Sequence, residues 1–223
     1  MNAIPPLSIF QRLCSYFWPI KVLELSSPLN PTLYLKYYQG QWLLETEDAI
    51  YSEGTRYRPL VLGFQKIKPE LGKIQRVLML GCGLGSGAMI LQKMGFSPSI
   101  TLVDKDPVIL TCAQKILPES ILSKAEFIAA DAQEFLATSP QTYDLIVVDI
   151  FKGRKVPDFI TSTSFLETIA QKLYSPKGIV LLNYIVQDNK EAEKLIQRFS
   201  QTFRPAVIHR FGLNRILIGY HTS

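Results

Sequence analysis

The sequence predicts an α/β fold: a mostly parallel sheet of seven strands with an antiparallel last strand, preceded by a small N-terminal β-hairpin annex. Three observations carry this reading. From Ile74 onward, short apolar runs alternate with amphipathic ones; the first of them ends in the bend Gly81-Cys82-Gly83-Leu84-Gly85-Ser86-Gly87; and the chain closes on two β-prone runs joined by Gly212-Leu213-Asn214. Strands that are apolar throughout, rather than in alternation, belong to parallel sheets covered on both faces.

The elements follow in order. Ile9, Phe10, Leu13 and Phe17 fall at helical spacing and predict an amphipathic helix that docks on its own domain or on a partner subunit. Gln11, Arg12 and Pro19 interrupt that stretch, no apolar span of about 18 residues occurs, and no basic leader with a cleavage site precedes it; the expectation is a cytoplasmic chain without membrane contact. Residues 32–38 and 41–45, split by Gln39-Gly40, read as a tight hairpin. Residues 56–67 read as a helix with Pro59 in its first turn, and Pro69 to Gly72 marks the junction between an annex at 1–72 and a main domain at 73–223. Strands are expected near 75–80, 100–103, 125–130, 143–148 and 178–182, with helices near 87–94, 107–117, 132–138, 163–173 and 190–203. Ser164 to Glu167 and Asp188 to Glu191 fit N-terminal capping boxes, and Ala192, Leu195, Ile196 and Phe199 then share a face. Residues 206–210 and 215–220 form the closing hairpin that supplies the antiparallel strand.

Composition narrows the function. At 223 residues and 47% hydrophobic, the chain fills one full α/β core with a short extension. Its 24 Lys and Arg against 19 Asp and Glu give a net charge of +5 without any block of like charges, which points away from nucleic acid. Cys14, Cys82 and Cys112 form neither an even disulfide framework nor a CxxC pair, and fit a reducing compartment. His209 and His221 stand apart in the closing hairpin, so no metal is expected. No G-x-S-x-G elbow supports a serine hydrolase.

In open α/β sheets ligands bind beyond the carboxyl ends of the strands. A glycine bend there lets backbone approach a ligand without Cβ interference, while the next helix offers free N–H groups. Three strands end in aspartates. Asp104, nineteen positions after Gly85, is placed to accept from both ribose hydroxyls, or else is a turn residue ahead of Asp106, the better helix cap. Asp131 is placed to accept from an exocyclic adenine amine while the Ala132 N–H meets a ring nitrogen, and it also fits a helix cap; the two roles are compatible. Asp149 faces the reactive end of the ligand or orders its loop. Gly83 to Ala88 also fits the G-x-G-x-x-A pattern of NAD-binding folds, which leaves an oxidoreductase as a rival, but a dinucleotide site has no use for an adenine-reading carboxylate after the third strand. An adenosyl-sulfonium ligand fits the whole set better.

These residues resemble a known group. The segments are Tyr51-Ser52-Glu53-Gly54, Val77 to Gly85, Leu102 to Pro107, Ala130 to Leu136 and Tyr143 to Asp149. In this order they are similar to the spermidine synthase-like branch of the class I S-adenosylmethionine-dependent transferases, over about Thr32 to Asn183. The resemblance implies a Rossmann-like methyltransferase sheet and a homodimer. It implies an adenosyl ligand, S-adenosylmethionine or its decarboxylated form, held by Gly81, Cys82, Gly83, Leu84 and Gly85. It further implies ribose contact by Asp104 with Lys105 beside it, adenine contact by Asp131 with Ala132, and proton removal from an amine by Asp149.

The departures shape the expected reaction. Leu84 stands where the aminopropyltransferases of the group carry an aspartate, Lys152 where they carry a second acid, and Met79 where methyltransferases often carry one. A cationic polyamine would meet Lys152, Arg154 and Lys155 instead of a carboxylate. Asp149 to Pro157 resembles the Asp-x-x-x-Gly-x-x-x-Pro pattern of spermidine synthase-like methyltransferase domains. The expectation is therefore methyl transfer to a small-molecule acceptor by in-line displacement, with Asp149 taking or orienting the acceptor proton. Tyr51, Lys152 and Tyr184 are candidates to meet the acceptor; the tyrosines fit packing equally, and Lys152 fits a solvated loop. The alternatives are aminopropyl transfer from decarboxylated S-adenosylmethionine and a catalytically silent adenosyl-binding protein.

Overall fold

The computed structural model describes residues 4–174 and 177–221 as two sheets with helices around the larger one. Helix α1 (Ile9–Cys14) is capped by a reciprocal Ser8–Gln11 box. It leads into β1 (Ile20–Leu25), β2 (Leu33–Tyr38), β3 (Gln41–Glu45) and β4 (Ile50–Ser52), an antiparallel sheet in that order. The predicted hairpin is its centre. Gln39 and Gly40 both take positive φ, 48° and 77°, as a tight two-residue turn requires. The annex is larger than a hairpin because β1 and β4, each short in apolar alternation, add one strand to each side. The apolar side chains of α1 do not dock on the chain's own domain; the helix has no buried residue.

The larger unit contains α2 (Arg58–Lys66), α3 (Lys68–Leu71), β5 (Arg76–Leu80), α4 (Ser86–Lys93), β6 (Ser99–Asp104), α5 (Pro107–Ile116), α6 (Glu119–Leu122) and β7 (Ala125–Ala129). It continues with α7 (Ala132–Thr138), β8 (Leu145–Val148), α8 (Thr163–Lys172), β9 (Ile179–Ile185), α9 (Asn189–Thr202), β10 (Ala206–Phe211) and β11 (Asn214–Tyr220). The strand order is β10-β11-β9-β8-β5-β6-β7. All pairs are parallel except those of β11, which runs antiparallel between β9 and β10, as the closing hairpin predicts.

Burial explains the layering. Val77, Met79, Val147 and Leu181 face a core shared with Leu60 and Phe64 of α2 and Ile90 of α4. Leu78, Leu80, Ile146, Val148 and Leu182 face the opposite core with Leu166 and Ile169 of α8 and Leu195 and Phe199 of α9. A third cluster joins the two sheets: Leu33, Leu35 and Leu44 pack on Leu84, Ile109 and Cys112. Two caps differ in detail from expectation. Ser162, not Ser164, caps α8, because the helix starts at Thr163, two residues before its first apolar residue, Phe165. Asp188 caps α9 by accepting from Lys190 and Glu191 N–H, while the Glu191 side chain turns to Lys194 instead of closing the box. Among the described residues no helix is long and apolar enough to cross a membrane, and no metal-ligand cluster occurs.

Chain order reverses at β5: β6 and β7 lie to one side, β8 and β9 to the other. That switch point opens a crevice at the strands' carboxyl ends, where Gly81, Asp104, Asp131 and Asp149 emerge.

Candidate active site

The bend after β5 is shaped by close approach. Gly81 and Gly83 have φ of 77° and 52°; a Cβ on Gly81 would lie 2.4 Å from the Asp149 carbonyl oxygen, and one on Gly83 would lie 2.8 Å from that of Tyr51. The Gly81 and Cys82 N–H groups donate to the Val103 carbonyl, and the Gly83 N–H donates to Asp104 Oδ2 at 3.2 Å. The backbone therefore floors a cavity of about 320 Å³. Cys82, Leu84 and Gly85 do not line it. Cys82 is buried, which pushes its thiol well above the ordinary value and keeps it neutral. Leu84 is turned into the cluster between the sheets, and Gly85 starts α4. Of the five bend residues expected to touch an adenosyl ligand, the structure brings Gly81 and Gly83 to the cavity.

The carboxylates converge on that cavity. Asp104 accepts from the N–H groups of Gly83 and Asp106, one at each oxygen, and burial outweighs these bonds to push its carboxyl up to about 6. Asp131 caps α7 through the Gln133 N–H at 2.9 Å and meets Lys105 Nζ at 3.1 Å. Partial burial raises its carboxyl, but the Lys105 and backbone bonds outweigh this and hold it below the usual range. Lys105 and Ala132 line the same wall. Asp106, predicted as a cap only, caps α5 and also holds Ser27 and Asn30: the Asn30 Nδ2 donates at 2.7 Å. Tyr51 then donates to Asn30 Oδ1 at 3.0 Å and accepts the Gly153 N–H at 2.8 Å. This chain of bonds makes Asn30 and Tyr51, from the small sheet's side, part of the cavity wall.

At the far end, Asp149 is buried against the carboxyl end of β8. Its Oδ1 accepts from Asn183 Nδ2 at 2.8 Å and from the Tyr57 hydroxyl at 3.3 Å, while burial pushes its carboxyl up to about 7. Tyr57, itself buried beside this carboxylate, is held well above its ordinary value and stays a donor. Asn183 keeps a buried Oδ1 without a partner. Tyr57 and Asn183 escape sequence reasoning aimed at strand ends; the signal for Asn183 is a single amide in the otherwise apolar run 179–185. Lys152 reaches the cavity from an exposed loop whose backbone pairs with Lys155. Tyr184 does not reach it: strand alternation turns Tyr184 into the α8–α9 core, on the face opposite Asn183.

A switch-point crevice floored by a glycine bend and rimmed by carboxylates on successive strands has the form of the ligand crevice of the doubly wound α/β class. The chain belongs to the methyltransferase domain family, whose profile matches residues 71–210. The bend thus lies in a methyltransferase domain, not a dinucleotide-binding one. A polyamine aminopropyltransferase of Chromobacterium violaceum is 29% identical over 136 residues, 60% of this chain and 51% of that protein. The chain spans about half the length of the curated relatives it matches. Among solved structures, the spermidine synthase of Thermotoga maritima superposes with a TM-score of 0.68 at 13% identity, covering 91% of this chain and 73% of that one. Human methyltransferase-like protein 13 in complex with SAH gives 0.60 at 20% identity, covering 74% and 81%. At these identities the structural likeness concerns the fold alone, the Rossmann-like methyltransferase fold.

Proposed function

We propose that the chain transfers an alkyl group from an adenosyl-sulfonium donor to a small amine, and that the group is the aminopropyl moiety of decarboxylated S-adenosylmethionine. Methyl transfer, the first expectation from sequence, gives way to its alternative on two grounds: the names of the curated relatives, and the character of the reacting end. The observation that carries the proposal is Asp149, buried, held near neutral titration by its surroundings and oriented by two donors.

The cavity fits the donor. Asp104 and Asp131 offer acceptors to a ribose and an adenine amine, and Gly81 and Gly83, which sit too close to the Asp149 and Tyr51 carbonyls to carry a Cβ, line the cavity between them. The sulfonium supplies an activated carbon and a neutral thioether leaving group, so the protein's task is positioning. The Asp149 carboxylate takes a proton from the incoming ammonium, which frees the amine lone pair to attack the carbon next to sulfur as the thioether leaves, and Tyr57 and Asn183 keep its Oδ1 fixed while this happens. A donor bearing its own carboxylate would set that charge near Asp149 with no buried cation to offset it, since Lys105 is paired with Asp131 and Lys152 is exposed. Of the departures, Leu84 packs between the sheets and supplies no carboxylate to the donor's ammonium group, while the Lys152 charge, which weighs against a cationic acceptor, is solvated and screened. Beyond Phe151 a second cavity of about 500 Å³ carries Glu47 and Asp48 with Arg58 and Arg154, and its Glu45 and Glu53 pair with Lys36 and Arg56.

The test is a turnover assay with decarboxylated and ordinary S-adenosylmethionine in parallel, each with diamines, read by mass spectrometry. Methylthioadenosine together with an aminopropylated amine is the expected result. S-adenosylhomocysteine with a methylated acceptor, or tight donor binding without any transfer, overturns the proposal.

A further inference from the structure

The cavity that holds Asp149 and the second one beside it share Phe151 in their walls. Tyr57 also joins them: it lines the second cavity, while its hydroxyl donates to Asp149 Oδ1 at 3.3 Å. An amine brought to Asp149 past Phe151 leaves its other end in this second cavity, whose charges then decide what that end is. Glu45 pairs with Lys36 and Glu53 with Arg56, so their charges are already answered. Two carboxylates and two guanidiniums remain. Glu47 and Asp48 belong to the turn between β3 and β4, whereas Arg58 starts α2 and Arg154 sits in the loop after β8.

Among the described residues neither guanidinium has an ion-pair or hydrogen-bond partner, and Arg58 lies 5.9 Å from the centre of the Phe211 ring. A guanidinium presents its N–H donors in a fork that matches a carboxylate. Tyr57, Arg58 and Pro59, all in the cavity wall, open α2, which has no acidic residue in its first turn and no side chain capping its free N–H groups. The positive end of the helix therefore adds to Arg58. Pro59, Ile185 and Leu213 supply apolar wall that suits a methylene stem. A second ammonium in this cavity, as in a plain diamine, suits Glu47 and Asp48 but sets a like charge near Arg58 and Arg154. A lone carboxylate meets the reverse. An end that bears an ammonium and a carboxylate on one carbon answers both groups.

We propose, resting on the transferase reading above, that the acceptor is an α-amino acid whose side chain ends in a primary amine. Its α-carboxylate is held by Arg58 and Arg154 and its α-ammonium by Glu47 and Asp48, which leaves the side-chain amine at Asp149. That nitrogen gives a proton to the Asp149 carboxylate and forms its bond to the donor carbon as the carbon–sulfur bond breaks, the thioether keeping the bonding pair.

Ornithine and 1,4-diaminobutane space their amines equally and differ by one carboxylate. Isothermal titration of each into the full chain saturated with methylthioadenosine tests the proposal without turnover. Ornithine is expected to bind about tenfold more tightly. Arg58→Gln and Arg154→Gln, at exposed positions, are each expected to weaken ornithine about tenfold and to tighten diaminobutane, with circular dichroism confirming that both variants are folded. Diaminobutane bound as tightly as ornithine by the wild type, or ornithine binding that neither substitution weakens, overturns the proposal even where amines are alkylated. The expected binding pattern with no product from decarboxylated S-adenosylmethionine supports the amino-acid site and overturns the transferase reading instead.

Discussion

Replacing Asp149 with asparagine separates what the site does for chemistry from what it costs in stability. The carboxyl titrates at about 7 in the folded chain against an ordinary 3.8, because burial penalises the anion more than Asn183 and Tyr57 favour it. Between these pH values the folded state holds the extra proton, and each unit of rising pH removes about 1.4 kcal/mol of stability. The contribution of neutral Asp149 is complete below the unfolded value and gone above the folded one. An asparagine carries no charge and still presents an oxygen to both donors. Asp149→Asn is therefore expected to be more stable than the wild type by roughly 4 kcal/mol at pH 8.5, with the gap narrowing to about 2 kcal/mol at pH 5. Urea unfolding at fixed protein concentration measures both values, and turnover of the same variant should be lost. A variant no more stable than the wild type at pH 8.5, or one that retains turnover, refutes the reasoning.

Three further outcomes follow from the geometry. Asp104→Ala should abolish retention of methylthioadenosine, whereas Asp149→Asn should retain it; isothermal titration distinguishes them, and equal affinities would remove Asp104 from the ribose site. Tyr57→Phe takes away a donor that favours the Asp149 anion, so the acidic limb of kcat/KM, which rises with pH as Asp149 ionises, should move upward by roughly half to one unit; an unmoved limb places the titrating group elsewhere. Leu84→Ala should destabilise the chain by about 2–5 kcal/mol in urea, because Leu84 fills the cluster between the sheets, while leaving methylthioadenosine affinity nearly unchanged in the folded fraction.

The larger sheet was legible because its central strands are uninterrupted apolar runs and its helices carry clear periodicity. Val77 to Leu80 and Leu145 to Val148 are buried on both faces, and such runs have few other places in a fold. The aspartates were legible for the same reason, since a charge that ends a buried strand stands at the carboxyl edge of the sheet. Less visible was anything that depends on contact between distant segments. Asn30 lies in a connecting stretch without periodicity, and its role arises because Asp106, 76 positions away, holds it over the cavity. Leu84 looked like a ligand residue from its place in the bend, yet apolar neighbours from the small sheet draw it the other way. Tyr184 and Asn183 are adjacent, and only strand register decides which of them faces the site.

The polar strap from Asp106 through Ser27 and Asn30 to Tyr51 and Gly153 ties the cavity to a part of the chain that lies outside the matched domain. A nucleoside bound as proposed, between Asp104 and Asn30, would be gripped by both units at once and would act as a fastener between them. At a hundred times its Kd such a ligand adds about 2.7 kcal/mol to their attachment. Donor supply would then govern how firmly the N-terminal sheet stays seated.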